Sequence, residues 1–218
     1  MHILLVSATP FEIAPLQSWL SNRFQSKAEN VYQKDSLTVT IQVTGVGMTA
    51  TAFQLGWLLA REKPDWVINA GIAGAYQEDL PIGSVVQVTE ERFGDLGVEE
   101  ADGSFTDVTE MGLWPHGVLL NPHPPLPSMP VCKGLTVNKV HGSQQSIAQI
   151  LSKYPDAQVE SMEGAAFFYS CLAAGVPFAE IRSVSNRVEP RNREAWNLPL
   201  AIQQLNQLLI EVLEAIPQ

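Results

Sequence analysis

The sequence contains few cysteines, few basic residues and no long apolar run. Two cysteines, Cys132 and Cys171, are too few for a disulfide framework, which favours a reducing, cytoplasmic location. The apolar runs at residues 3–6 and 57–60 are far shorter than the roughly 20 residues of a membrane helix, so we expect no transmembrane span. The N-terminal segment has no basic region and reaches Glu12 early, so we also expect no signal peptide.

Basic residues are outnumbered throughout the 218-residue chain. Thirteen Lys and Arg stand against 23 Asp and Glu, which gives a net charge of −10. A field of this sign repels phosphate backbones and anionic lipids, so we expect neither nucleic acid nor membrane as a partner. The four histidines and two cysteines form no His-x-x-x-His or Cys-x-x-Cys motif, so we expect no metal.

Short apolar runs typical of strands alternate along the chain with segments of helical periodicity. The predicted strands are residues 2–7, 37–43, 65–70, 84–89, 135–140 and 178–185, and the predicted helices are residues 48–61, 144–153, 163–174 and 199–216. This alternation predicts an α/β fold, a single three-layer domain over residues 1–218 with a central mixed sheet flanked by helices.

One segment has an unusual composition. Six of the chain's 15 prolines lie between Pro115 and Pro130, a density that excludes a helix or a central strand. The segment is predicted to be a long surface loop, either a functional cover or an irregular connection.

Four predicted strands end next to residues that could carry chemistry, where open α/β sheets bind ligands. Glu12 follows the first strand, and Gly71-Ile72-Ala73-Gly74 follows residues 65–70, where the strand is predicted to break. Glu163 lies at a strand-to-helix junction, and Arg182 and Asn186 lie at the end of the last strand.

Each feature also has a structural explanation. Glu12 and Glu163 could each stabilise a helix dipole, and the glycines could form only a tight turn. Arg182 is harder to explain in this way, because an arginine buried in an apolar strand requires a carboxylate partner.

Together these residues resemble the purine nucleoside phosphorylase and nucleosidase superfamily over almost the whole chain. The resemblance is carried, in order, by Glu12, Gly71-Ile72-Ala73-Gly74, Met162-Glu163-Gly164-Ala165 and Arg182-x-x-x-Asn186. Within it, the chain is most similar to the futalosine hydrolases of menaquinone biosynthesis. That closer match is carried by Phe93-Gly94-Asp95-Leu96-Gly97, Met162-Glu163-Gly164-Ala165-Ala166 and Ser185-Asn186-Arg187-Val188-Glu189-Pro190-Arg191-Asn192-Arg193, followed by Trp196.

The resemblance implies hydrolysis of an N-glycosidic bond in a small-molecule nucleoside, without a cofactor. It implies that Glu12 is the general base toward water, that Arg182 positions this water and Glu12, and that Asn186 contacts the departing base. The residues that it implies in substrate binding are Met162 and Glu163 at the ribose, Ile72, Ala73 and Gly74 along sugar and base, and Arg187, Arg191 or Arg193 at the carboxylate of the 5′ substituent.

Two positions depart from the methylthioadenosine nucleosidases. Those enzymes have aspartate at Asn186 and serine at Ile72. An asparagine cannot act as an acid, but its NH₂ group can donate to a 6-oxopurine, so Asn186 favours hypoxanthine over adenine as the released base.

Other functions stay open at this point. A methylthioadenosine/S-adenosylhomocysteine nucleosidase is one alternative. A phosphorylase is disfavoured, because no basic residue precedes Arg23 and Glu12 would repel phosphate. A nucleoside-binding domain without activity is the third alternative. The resemblance also implies a homodimer in which a partner loop closes the 5′ end of the pocket, and residues 114–130 are the candidate loop.

Overall fold

The computed structural model describes residues 1–127 and 129–216, which contain one large sheet, a separate two-stranded ribbon and flanking helices. The strands are β1 (His2–Ser7), β2 (Gln25–Ala28), β3 (Val31–Lys34), β4 (Leu37–Val43), β5 (Trp66–Ala75), β6 (Val85–Glu91), β7 (Gly97–Glu99), β8 (Phe105–Asp107), β9 (Leu119–Leu120), β10 (Val131–Thr136), β11 (Val159–Ser161) and β12 (Phe178–Arg187). The α-helices are α1 (Pro10–Arg23), α2 (Met48–Leu59), α3 (Gln144–Lys153), α4 (Gly164–Ala174) and α5 (Leu198–Glu214).

The large sheet is mixed and has the order β11-β10-β6-β12-β5-β1-β4-β3-β2, with β9 beside β6. Its central strands β12, β5, β1 and β4 are parallel, whereas β6 is antiparallel to β12. The long strand β5 also pairs with β11, through Gly74 and Ala75. The carboxyl ends of the four parallel strands therefore meet at one edge, where α/β sheets bind ligands.

Hydrophobic clusters on the two faces of the sheet account for the helix layers. One cluster includes Leu55 of α2 and Phe167 of α4, and the other includes Leu16 of α1 and Leu205 of α5. The predicted three-layer α/β fold with a mixed sheet is confirmed. None of the helices in the described residues is both long and apolar enough to cross a membrane.

Three local predictions were wrong or incomplete. The strand predicted to break at Gly71 continues to Ala75, because β12 and β11 supply pairing partners there. The strand predicted at residues 135–140 is β10, which ends at Thr136; Lys133, unusual in a strand, is accommodated by an ion pair with Asp156 at 3.1 Å. Helix α1 was not predicted at all, because it contains two prolines.

Those prolines are tolerated for two different reasons. Pro10 occupies the first turn of α1, where its missing N–H would have no partner. Pro15 lies inside the helix, and the buried side chain of Asn206 enters the helix beside it. Its Nδ2 donates to the Glu12 carbonyl at 2.8 Å and its Oδ1 accepts from the Leu16 N–H at 2.9 Å. These two backbone groups would pair with each other in an uninterrupted helix, so Asn206 fixes the turn that carries Glu12.

We expect Asn206→Ala to lower the free energy of unfolding by about 2–4 kcal/mol, since each buried backbone group left unpaired costs about 1–3 kcal/mol. Urea denaturation measures the effect. The control is Gln203→Ala, an exposed position on the same helix, where a change within about 0.5 kcal/mol is expected. Equal stability of the two variants would show that the inserted amide does not stabilise α1.

Candidate active site

The second half of β5 forms the floor of the site. Gly71 and Ile72 pair with Arg182 and Ser183 of β12. A Cβ on Gly71 would lie under 3.0 Å from Arg182 Nη1 and 3.0 Å from Glu12 Oε1. Residues 71–74, for which a tight turn was the structural explanation, therefore belong to a strand. Its first glycine provides the space in which an arginine and a carboxylate approach the backbone.

Glu12 connects helix α1 to this floor. Its Oε2 accepts hydrogen bonds from the Thr9 N–H at 2.9 Å and the Thr9 hydroxyl at 2.8 Å, which caps the helix. Its Oε1 accepts from the Ile72 N–H at 3.0 Å, across 60 positions of sequence. The helix-stabilising explanation for Glu12 is thus correct for one oxygen only. The other oxygen is fixed in the site.

Arg182 is the largest fully buried side chain of the described residues, at 1% exposure. Its Nε lies 2.9 Å from Glu180 Oε1, its Nη1 donates to Asn69 Oδ1 at 3.3 Å, and its Nη2 lies 4.0 Å from Glu163 Oε2. The prediction that a buried arginine requires a carboxylate partner is confirmed, and the partner in closest contact is Glu180.

Glu163 immediately precedes helix α4. Its Oε1 accepts from the Gly47 N–H at 2.9 Å, which ties α4 to the start of α2. Burial raises the pKa of Glu163, while the Arg182 charge and the Gly47 hydrogen bond oppose that rise. Met162, directly before it, is half-buried. The site thus combines two buried carboxylates, Glu12 and Glu163, with one guanidinium.

Asn186 lies farther along β12, opposite Gly74 of β5. Its Oδ1 accepts from the Ser185 hydroxyl at 2.8 Å, and its Nδ2 donates to the Arg187 carbonyl at 2.8 Å. The Ser185 hydroxyl also donates to the Ala73 carbonyl at 3.2 Å. These contacts fix the orientation of the Asn186 amide. They use one of its two N–H donors and leave the other without a partner among them.

The three arginines after Asn186 differ in their surroundings. Arg187 donates to the carbonyls of Gln77 and Glu78, which fixes the connection after β5. The Arg191 N–H donates to the Gly142 carbonyl at 3.0 Å, and its guanidinium lies 5.4 Å from the centre of the Trp196 ring. Arg193 is exposed in a short 3₁₀ turn, Arg193–Ala195.

The middle of the proline-rich segment, residues 121–123, lies away from this site. The Asn121 side chain donates to the Phe178 carbonyl at 3.0 Å, and the His123 ring lies 5.6 Å from the ring of Trp66. Phe178 and Trp66 begin β12 and β5, so the segment covers the amino ends of the strands whose carboxyl ends carry the site. At the start of the segment, Trp114 packs against Tyr169 of α4 with 5.3 Å between the ring centres. The role of residues 114–130 as a loop that closes the pocket of a partner subunit stays a prediction.

The structure also shows site residues that sequence reasoning missed. Asn69 and Glu180 both contact Arg182, and Thr9 holds Glu12. Glu180 had a detectable signal, because residues two apart in a strand share a face and a charge two positions before a buried arginine is a candidate partner. Thr9 had one as well, because Thr9-x-x-Glu12 has the spacing of a capping box. Asn69 had none, since its contact depends on how separate strands are placed.

Several known proteins are similar to this chain in sequence. The chain is 36% identical to the futalosine hydrolase of Streptomyces coelicolor over 65% of this chain and 62% of that protein. It is 32% identical to the futalosine hydrolase of Acidothermus cellulolyticus, over 93% of this chain and 86% of that protein. It is also 30% identical to the 5'-methylthioadenosine/S-adenosylhomocysteine nucleosidase of Maridesulfovibrio salexigens, over 86% of this chain and 87% of that protein.

The fold has solved counterparts as well. The structure of futalosine hydrolase from Helicobacter pylori superposes with a TM-score of 0.80 at 15% identity, covering 99% of this chain and 98% of that chain. At that identity the likeness concerns the fold. The model of the Phosphorylase superfamily matches residues 2–214, and the chain belongs to that superfamily.

Proposed function

We propose that the chain hydrolyses the N-glycosidic bond of futalosine, releasing hypoxanthine, as a step of menaquinone biosynthesis. The observation that carries the proposal is the convergence of Glu12, Glu163 and Arg182 on the backbone of β5. Two futalosine hydrolases among the relatives support the choice of substrate. The two free, buried cysteines are in keeping with a cytoplasmic enzyme.

In this proposal Glu12 is the general base. Hydrogen bonds from Ser7, Thr9 and Ile72 hold its carboxylate in one orientation. Oε1 accepts only from Ile72, which leaves it a lone pair to accept a proton from water. Arg182, beside the same glycine, orients the water and Glu12. Carboxylates suit the reaction because positive charge develops on the ribose as the glycosidic bond breaks.

Glu163 would bind the ribose hydroxyls through Oε2, since Oε1 is occupied by the Gly47 N–H. Met162 would pack against the sugar, and the residues that line sugar and base would be Ile72, Ala73 and Gly74. At the base, Asn186 has an N–H donor available for the O6 of hypoxanthine, because its other contacts are made to Ser185 and Arg187.

The carboxylate at the 5′ end of the substrate is assigned to Arg191 or Arg193. Arg187 is engaged with two backbone carbonyls, so the earlier set of three candidates is reduced to two. Arg191 is favoured, because its backbone and its ring contact hold it near the end of β12. A guanidinium can donate two parallel hydrogen bonds to a carboxylate.

A nucleosidase for methylthioadenosine and S-adenosylhomocysteine is the second candidate, favoured by the relative from Maridesulfovibrio salexigens. Asn186 separates the two functions, since it cannot protonate a departing adenine.

The test is incubation of the purified protein with futalosine, inosine, methylthioadenosine and S-adenosylhomocysteine, with and without phosphate, and chromatography of the released base. We expect phosphate-independent release of hypoxanthine from futalosine.

Glu12→Gln should lower kcat by about 10²–10⁴-fold, the usual contribution of a general base, with little change in ligand binding. Glu62→Gln, an exposed position beyond α2, is the control. Turnover of Glu12→Gln near that of the parent would remove Glu12 from the mechanism, and adenine release alone would favour the second candidate.

The choice of base can be tested at one position. Asn186→Asp should shift preference from futalosine and inosine toward adenine nucleosides, because a carboxylate accepts from an amino group and repels a carbonyl oxygen. The ratio of kcat/KM for the paired substrates measures this. An unchanged ratio in a folded variant would place base selection elsewhere.

We also propose a homodimer formed through α2 and α4. These helices pack against each other, and exposed apolar side chains concentrate around them. The members of this apolar face are Val46, Phe53, Trp57, Leu113, Tyr169 and Leu172. The face adjoins the site, because the start of α2 bonds to Glu163. An apolar face of this kind is typical of an interface, and C2 pairing is the common way of covering it.

Light scattering should show a dimer for the parent and a monomer for Phe53→Lys, whose side chain is 68% exposed in the single chain. A lysine amine buried against the partner loses hydration without gaining a counter-ion. Leu120→Lys, at an apolar position that is 57% exposed on β9, is the matched control and should remain dimeric. A monomeric parent with full activity would contradict the dimer.

A further inference from the structure

Two buried carboxyl groups, Glu91 and Glu180, have no part in the mechanism above. Glu91 ends β6 and Glu180 lies on the adjacent strand β12, and both are fully buried at 0% exposure. Groups of this kind almost never occur in a protein interior without hydrogen-bonded partners. Their presence behind Arg182 therefore calls for a physical explanation.

The oxygens of the two groups face the same small volume. A Cβ on Gly164 would lie under 3.0 Å from both Glu91 Oε1 and Glu180 Oε1, and a Cβ on Gly134 would also lie under 3.0 Å from Glu91 Oε1. Neither Glu91 Oε1 nor either oxygen of Glu180 accepts a hydrogen bond from any described residue. Two acceptor groups are thus adjacent without a donor between them.

Both members of the pair are also connected to the site. Glu180 Oε1 lies 2.9 Å from Arg182 Nε. Glu91 Oε2 accepts from the Thr136 hydroxyl at 2.8 Å, and that hydroxyl accepts from the Ala165 N–H in the first turn of α4 at 2.7 Å. The pair therefore links the strand that carries Arg182 to the helix that begins after Glu163.

We propose that Glu91 and Glu180 hold one proton between them, with Glu91 as the neutral donor and Glu180 as the anion that positions Arg182. The proton supplies the donor that the inner oxygens lack. It also reduces the charge of the pair to −1, which the adjacent guanidinium balances. Glu180 is thus a positioning residue, acting on the reaction through Arg182. Only the kinetic part of the inference rests on the proposed function.

The surroundings of the pair favour a retained proton. Its charged and titratable neighbours are Arg182 on β12, Glu163 at the start of α4, Glu12 on α1 on the opposite side of Arg182, Cys132 on β10 and Cys171 on α4. Burial raises the pKa of Glu91 well above its usual range and that of Glu180 to about 7. Each carboxylate opposes ionisation of the other, as in other carboxyl pairs.

The sign of the pH dependence follows from this. A carboxyl group whose pKa is higher in the folded state stabilises the fold below its unfolded pKa, and that stabilisation is lost as pH rises through the folded pKa. For Glu180 this window runs from about 4.3, the unperturbed value for glutamate, to about 7. For Glu91 the window extends further toward alkaline pH. Glu91→Gln removes the part of this pH-dependent loss of stability that Glu91 causes. The glutamine amide still donates a hydrogen bond, but it has no proton that titrates in this range.

The experiment uses infrared spectroscopy, unfolding at several pH values and kinetics on the full chain. At pH 8 we expect the parent to show the C=O stretch of a protonated carboxyl group, which Glu91→Gln lacks and the neighbouring surface variant Glu90→Gln retains. The stability of Glu91→Gln relative to the parent should increase as pH rises. Glu91→Gln should keep kcat within about threefold, whereas Glu180→Gln should lower kcat about 10–100-fold with a smaller change in KM.

The infrared and unfolding measurements need no substrate, so they test the shared proton even if futalosine is not cleaved. Absence of the protonated-carboxyl band in the parent at pH 8 would overturn the proposal, and this outcome does not require any variant to fold. A band that persists in Glu91→Gln would overturn the assignment to this pair. Parent-like kcat in a folded Glu180→Gln would remove the positioning role.

Discussion

The burial of the Arg182 guanidinium is the constraint on which the rest of the site depends. A charge removed from water in this way is tolerated only where counter-charges and hydrogen-bond acceptors surround it. Here Glu180 provides the direct ion pair, Asn69 accepts from Nη1, and Glu163 lies 4.0 Å from Nη2. These partners come from β12, β5 and the start of α4, so the guanidinium has all of its counter-charges and its acceptor only when the three elements are in place.

Space for these groups is provided by glycines. Gly71 leaves room for Arg182 and Glu12, whereas Gly134 and Gly164 leave room for Glu91 and Glu180. None of the three has a positive φ, so their requirement is volume and not a left-handed backbone. The motif Gly71-Ile72-Ala73-Gly74 therefore has a different physical meaning from the turn that its composition suggested. It is a strand in which the missing side chain of Gly71 leaves space for polar side chains to approach the backbone.

Elements defined by interactions between residues close in sequence were predicted, whereas features that depend on residues far apart in sequence were not. Strands β1 and β4 have the predicted bounds, and helix α3 begins at Gln144 and ends at Lys153 as predicted. The local hydrophobic periodicity of these segments is sufficient to define them. Helix α1 was missed because it contains two prolines, and the hydrogen bonds that accommodate Pro15 come from Asn206, 190 positions from Leu16. Glu12, Glu163 and Arg182 were predicted as site residues and are brought together. Glu91 and Asn69 were not predicted, because only the order of strands in the sheet places them beside Arg182.

An acidic interior suits the chemistry that the superfamily membership and the site geometry support. Four buried carboxyl groups, Glu12, Glu91, Glu163 and Glu180, surround one guanidinium, so the region carries an excess of acidic groups over basic ones. Full ionisation of all four in a medium of low polarity would be costly. Retention of a proton away from the substrate, between Glu91 and Glu180, lowers that cost while Glu12 and Glu163 remain available to a ribose that becomes cationic. In the proposed mechanism the carboxyl groups behind Arg182 hold its orientation, and those in front of it meet the developing charge, which is how a preorganised site stabilises a transition state without rearranging.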